Sequence, residues 1–200
     1  MRAFGARFSL GALAPLRFNY TSPRLRVPID PNACTVGGMF DSVLLQLAEE
    51  VLGKARLQRL RIATAESCTG GLVAALLTAI PGSSDVFERG FVTYSNAAKT
   101  ELLGVAGALI ATHGAVSEPV VRAMADGAIR HSAAQLAVAV TGIAGPGGGS
   151  IEKPVGLVHI AAVREGGPTL HERHRFGDSG RHEIRIASVQ AALRLLLRLL

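Results

Sequence analysis

Apolar positions in "MFDSVLLQLAEEVLGKA" (residues 39–55) recur at helical spacing, with Val43, Leu44, Leu47, Val51 and Leu52 on one face. Asp41 or Ser42 stands where a helix cap belongs. "LRIATAE" (60–66) is a short apolar run of the kind a buried strand shows. Gly70 and Gly71 then introduce a helix from Leu72 to Ala79, closed by Pro81-Gly82. "RGFVTYS" (89–95) reads as a second strand and Asn96 to Leu103 as the helix after it. Glu118-Pro119, with Ser117 as cap, opens a helix running to about His131. "QLAVAVTG" (135–142) is apolar and β-branched enough to be a central strand. "VGLVHIAAV" (155–163) and "TLHERHRF" (169–176) add two strands joined through Gly166-Gly167-Pro168. A last helix starts near Gly180, with Ile184, Ala187, Val189, Ala191, Leu195 and Leu199 available to bury. Strands alternating with helices, then an adjacent strand pair, predict an α/β fold: a three-layer α/β/α sandwich on a mixed sheet, in a single domain.

The first 38 residues break this pattern. They are interrupted by Pro15, Pro23, Pro28 and Pro31 and hold five Arg against Asp30 alone. We read 1–38 as a disordered or misassigned N-terminal extension and 39–200 as the folded domain; an organellar transit peptide has a similar bias. The net charge of +6 is concentrated in that extension, because residues 39–200 hold 16 Lys and Arg against 14 Asp and Glu. The body is therefore nearly neutral, and no basic stripe with interleaved aromatics points to a nucleic-acid partner. Two cysteines, Cys34 and Cys68, make no disulfide framework, and no Cys/His set has zinc spacing. Apolar runs are too short for a membrane span, so a cytoplasmic protein is expected. The Leu-rich C-terminal helix face could cover the core or a symmetry mate; a homodimer is the expected assembly.

Three segments begin where a strand gives out: "ESCTGG" (66–71), "YSNAAK" (94–99) and "TGIAGPGGGS" (141–150). Ligands collect at the carboxyl ends of strands in open α/β sheets, so these loops are candidates for one pocket. Ser67 precedes a helix N-terminus, where the amides of Cys68, Thr69, Gly70 and Gly71 could hold an oxyanion. Equally, Ser67 or Thr69 could simply cap the helix. Lys99 is the nearest basic group apart from His113, and a desolvated lysine can serve as base. The ordinary alternative is a solvated surface lysine paired with a glutamate. Tyr94 could relay a proton between Ser67 and Lys99. The glycine-rich loop could present amides to phosphate or be only a turn-rich connection.

Taken in order, "TAESCTGG", "ERGFVTYSNAAKTELLGV", "HGAVSEPVV", "VTGIAGPGGGS" and "EKPVGLVHIA" resemble the C-terminal domain family of the competence/damage-inducible protein CinA over residues 39–200. The resemblance implies an amidase of nicotinamide mononucleotide, a small-molecule nucleotide substrate whose carboxamide is hydrolysed to the acid with release of ammonia. It implies Ser67 as nucleophile, Lys99 as base and Tyr94 beside them. Thr69, Gly70 and Gly71 would steady the oxyanion, and Thr141, Gly142 and Gly145 would line the substrate. An arginine beyond the last strand is expected on the phosphate; "FGDSGRHEIR" offers Arg181, with Arg185 in reserve. No metal or organic cofactor is implied. Competing readings are a non-catalytic nucleotide- or partner-binding module and a serine amidase for another amide. A DNA-associated protein, suggested by the family's name, conflicts with the near-neutral body.

Overall fold

Five strands, Ile62–Glu66 (β1), Phe87–Val92 (β2), Leu136–Gly142 (β3), Leu157–Arg164 (β4) and Leu170–Arg175 (β5), form one sheet in the order β2-β1-β3-β4-β5. β1 runs parallel to β2 and β3, whereas β4 is antiparallel to β3 and β5. The computed structural model describes residues 40–200; the extension expected over 1–38, Cys34 included, lies outside the described residues. Helices Ser42–Leu57 (α1), Leu72–Thr78 (α2) and Arg181–Leu197 (α6) cover one face of the sheet. Asn96–Leu103 (α3), Gly107–His113 (α4) and Glu118–Arg130 (α5) cover the other. This is the mixed α/β sandwich that the pattern predicts.

The two faces are built from different side chains. Ile62, Leu136, Val138, Val140, Val158 and Ile160 point towards α1, α2 and α6. Ala63, Ala65, Ala137, Ala139 and Ala161 point towards α5. Alternation along each strand makes this sorting possible. The alanine face lets α5 lie close, and at Gly127 a Cβ would run into the main chain of Leu103. The inner strands β1 and β3 are buried almost throughout, while the edge strands β2 and β5 are only half-covered.

Several boundaries differ from the sequence reading. Asp41 caps α1, its Oδ1 accepting the Leu44 amide at 2.8 Å. Val43 is 56% exposed, and Ala48 and Ala55 take its expected place on the buried face. α4 is an additional element, hidden in the sequence by its brevity and glycine start. β2 begins at Phe87 and stops at Val92, so Tyr94 stands beyond the strand. Ser117 occupies the cap position of α5, yet its hydroxyl donates to Gly114 O at 2.8 Å instead. On α6, Ile184, Val189 and Leu195 are buried as expected. Ala187 and Ala191 are only half-buried, as is Leu199 just past the end of the helix, and Ser188, Ala192, Leu193 and Leu196 fill the seam.

Two consequences concern the site. The carboxyl ends of β1, β2 and β3 share one rim of the sheet, and the antiparallel β4 starts at that same rim. Everything that leaves or enters there, including the glycine-rich connection between β3 and β4, converges on one place. Among the described residues no helix is long and apolar enough to cross a membrane.

Candidate active site

β1 ends at Glu66, and the chain turns through residues 67–71 before α2 begins. Gly71 sits at the cap position with φ 95°, a left-handed conformation that favours glycine. It has no side chain with which to cap α2. The capping is done by Glu66, only 1% exposed. Its Oε2 accepts from the amides of Gly71 (3.0 Å) and Val73 (3.1 Å), and Oε1 accepts from Ala74 (2.9 Å). The Gly70 amide donates to Ser67 O at 3.0 Å. This corrects the sequence expectation in which the Gly70 and Gly71 amides bind an oxyanion, since both donors are already committed. Neither Ser67 nor Thr69 caps the helix. The Cys68 and Thr69 amides donate to no oxygen among the described residues; the group they bear on is the neighbouring Cys68 sulfur.

Ser67 meets its partner across the rim. Lys99, one turn into α3, is 1% exposed, and its Nζ donates to Ser67 Oγ at 3.1 Å and to Thr93 O at 2.8 Å. No carboxylate pairs with it among the described residues. It is therefore not the solvated, glutamate-paired lysine of the ordinary alternative. Burial penalises the ammonium and holds the Lys99 pKa below the usual lysine range. α3 is anchored at this point by Ser95, whose Oγ accepts the Ala98 amide at 3.0 Å. The neighbouring Cys68 is buried, and burial above all pushes its thiol up to about 12, which keeps it protonated and a poor nucleophile.

Ser67 and Cys68 open onto a cleft of about 250 Å³ whose other walls are Tyr94, Arg181 and residues 142–145, 147 and 148. Arg181, the first residue of α6, donates through Nη1 to Gly145 O at 2.8 Å and through Nη2 to the Tyr94 hydroxyl at 2.7 Å. Tyr94 is 60% exposed, and among the described residues no hydrogen bond joins it to Ser67 or Lys99. The relay expected between those two is absent from this geometry, because the Tyr94 hydroxyl is turned to Arg181. Gly142 and Gly145 line the cleft; a Cβ on Gly142 would approach Val158 Cγ2 to 2.7 Å. Thr141 does not line it: its buried hydroxyl donates to Ala115 O at 3.0 Å and ties β3 to the loop before α5. Arg185, the reserve for Arg181, lies behind the nucleophile turn with Nη2 donating to Thr69 O at 2.8 Å.

Glu66 is the site residue that the sequence reading missed. The available signal was an acidic residue just ahead of a helix that opens on Gly-Gly with no capping side chain. What the assembled groups offer is a hydroxyl beside a buried amine with no carboxylate partner among the described residues, two amides at the nucleophile turn that no oxygen occupies, and a guanidinium across the cleft.

The CinA C-terminal domain, a family description, matches residues 44–200. A CinA-like protein of Syntrophobacter fumaroxidans is 53% identical over 153 residues, covering 76% of this chain and 36% of that protein. The chain thus spans well under half the length of the CinA-like relatives it matches. The nicotinamide-nucleotide amidohydrolase PncC of Escherichia coli K12 is 52% identical over 138 residues, covering 69% of this chain and 84% of that protein. Among solved structures, the competence/damage inducible protein CihA of Agrobacterium tumefaciens superposes with a TM-score of 0.79 at 52% identity, over 80% of this chain and 97% of that one. A CinA superfamily protein of Escherichia coli gives a TM-score of 0.74 at 34% identity, over 78% and 90%. The chain belongs to the CinA C-terminal domain family.

Proposed function

We propose that this protein is an amidohydrolase that cleaves the carboxamide of nicotinamide mononucleotide, giving the acid and ammonia through a Ser67 acyl-enzyme. The observation that carries the reading is the 3.1 Å contact between Ser67 Oγ and the buried, carboxylate-free Lys99 Nζ. The amidohydrolase from Escherichia coli, at 52% identity, supports the substrate class.

Neutral Lys99 accepts the Ser67 proton while Thr93 O holds its amine in place. Ser67 Oγ attacks the carboxamide carbon, and the negative charge moves to the carbonyl oxygen. The Cys68 and Thr69 amides are the donors left to receive it, since Gly70 and Gly71 are engaged. The Lys99 ammonium returns its proton to the leaving nitrogen, the C–N bond breaks, and ammonia departs. Water then attacks the ester with Lys99 again as base, releasing the carboxylic acid and restoring Ser67. Arg181, positioned by Gly145 O and Tyr94, faces the cleft as the cation for the 5′-phosphate, with Gly142 and Gly145 beside it.

The test is ammonia release from nicotinamide mononucleotide by wild type, Ser67→Ala and Cys68→Ala. Activity abolished in Ser67→Ala and measurable in Cys68→Ala is the expected pattern. Loss in Cys68→Ala alone reassigns the nucleophile. A folded wild type that releases no ammonia removes the substrate assignment.

A further inference from the structure

We propose that Glu66 is a positioning residue for Ser67: it touches no substrate, but its carboxylate fixes the turn that presents the nucleophile to Lys99. The proposal rests on the reading of Ser67 as nucleophile.

Glu66 is 1% exposed at the end of β1, in register with Val92 on one side and Val140 on the other. Its root in the sheet is therefore fixed from both flanks. Its head reaches past the turn to the amides of Gly71, Val73 and Ala74, at 2.9–3.1 Å. Among the described residues no lysine, arginine or histidine pairs with it, so these amides are what balance its charge. Bonds from amides to a carboxylate are shorter and stronger than neutral ones. The turn at 67–71 is thus a loop tied at both ends to a single residue, one end by the peptide bond and the other by the side chain.

Two features show that this tie concerns the nucleophile. First, the turn's other anchors are few: Ser67 N donates to Val140 O at 2.9 Å, Gly70 N to Ser67 O at 3.0 Å and Leu72 N to Thr69 O at 3.3 Å, Arg185 also holds Thr69 O, and Lys99 meets the Ser67 hydroxyl itself. Gly70 and Gly71, with φ of 60° and 95°, supply no side chains to hold it. Second, the main chain of Glu66 also references the base: its carbonyl accepts the Thr93 amide at 2.8 Å, and Thr93 O in turn accepts from Lys99 Nζ at 2.8 Å. The hydroxyl and the amine are thereby set from the same residue, the amine through the backbone and the hydroxyl through the carboxylate. By filling the start of α2, the carboxylate also leaves the Cys68 and Thr69 amides as the donors next to Ser67 that no oxygen occupies.

A plain helix cap would affect stability alone, and that is the alternative to exclude. Glu66→Gln keeps the length of the side chain but offers one acceptor oxygen, and its NH₂ must face at least one amide N–H. Glu66→Asp keeps both oxygens and falls one methylene short. Each variant is measured well below its own thermal midpoint, so that all molecules are folded. In ammonia release from nicotinamide mononucleotide, Glu66→Gln is expected to lower kcat about 100-fold with KM little changed, and Glu66→Asp to recover part of the loss. In parallel, phosphonylation of Ser67 by a fluorophosphonate probe, located by mass spectrometry and absent in Ser67→Ala, should slow by a similar factor. The labelling separates the two readings. A wild type that is labelled at Ser67 but releases no ammonia fails the substrate assignment, while the labelling rate still reads Glu66. Wild-type kcat or wild-type labelling in folded Glu66→Gln overturns the proposal. If Glu66→Gln does not fold, the same result in Glu66→Asp overturns it. A wild type with neither Ser67-dependent turnover nor Ser67 labelling overturns it together with the nucleophile.

Discussion

His159 makes the stability of this fold depend on pH in a window where its carboxylates are silent. The residue lies on β4, 8% exposed, with Nδ1 3.0 Å from Nε2 of His171, which in turn sits 3.4 Å from Glu118. Burial, reinforced by His171 and Arg173, lowers its pKa from 6.5 to about 4, against smaller opposition from Glu118. The unfolded chain takes up the His159 proton near its ordinary pKa, and the native chain does so only near 4. Between these values the unfolded state binds more protons, so folding weakens as pH falls. Applied to a shift from 6.5 to about 4, the linkage relation gives a loss of about 2 kcal/mol between about pH 7 and about pH 5. Glu118 and Glu152, whose pKa values are lowered, act in the same direction, but their effect sets in only as pH falls into the ordinary carboxylate range and continues below it. His171 is also lowered and adds to the wild-type slope, so the diagnostic quantity is a difference. Urea unfolding of wild type and His159→Gln, followed across that pH interval, measures it. The variant should lose about 2 kcal/mol less than wild type on acidification. Parallel curves for the two proteins would refute the buried, neutral imidazole.

Other predictions concern the site and the helix layer. Lys99→Met should remove ammonia release, and the wild-type rate should rise with pH through a midpoint below the usual lysine range, because desolvation favours the neutral amine; a rate flat from about pH 5 to about pH 9 contradicts this. Arg181→Ala should raise KM for the nucleotide, whereas Arg185→Ala, acting on Thr69 O behind the turn, should lower kcat; initial-rate kinetics on both variants separate the two arginines. Gly127→Ala should cost about 2 kcal/mol of stability by forcing α5 off Leu103, read as a lower urea midpoint at unchanged m-value. In a Cys34→Ser background, Cys68 should resist iodoacetamide in the native protein and react in urea, since its thiol is buried and pushed up to about 12.

The layer order was legible because each element carried its own period. β3 reads as a nearly unbroken apolar run since both its faces are covered, β1 is a shorter one interrupted by Thr64 and ended by Glu66, and α3 is found at the residues expected. The errors have local causes. Val43 fits the helical period, but α1 turns Ala48 and Ala55 inward, and small residues carry little weight in an apolar pattern. Ser117 has the chemistry of a cap and spends its hydroxyl on Gly114 O. At the site, Ser67 and Lys99 could be named, yet their separation by 32 positions hid the contact between them. Gly70 and Gly71 looked like free donors because capping is usually sought at the residue next to the helix, whereas Glu66 reaches the Gly71 amide from further upstream and the turn closes on itself through Gly70 N and Ser67 O.

The reversal of direction at β4 has a consequence for how this scaffold can vary. A parallel strand after β3 would have needed a crossover to the far rim and back, with a helix packed on the sheet. Because β4 is antiparallel, the stretch after Gly142 leaves and re-enters at the same rim, directly above Ser67. At its exposed tip, residues 146–152, length can change without moving a strand or disturbing the buried Ala144 and Gly145, and each doubling of such a loop costs only about 0.6 kcal/mol in closure entropy. The outer lip of the cleft is thus free to change length, while Ser67, Lys99 and the Gly145 carbonyl that holds Arg181 are fixed by packing beneath it.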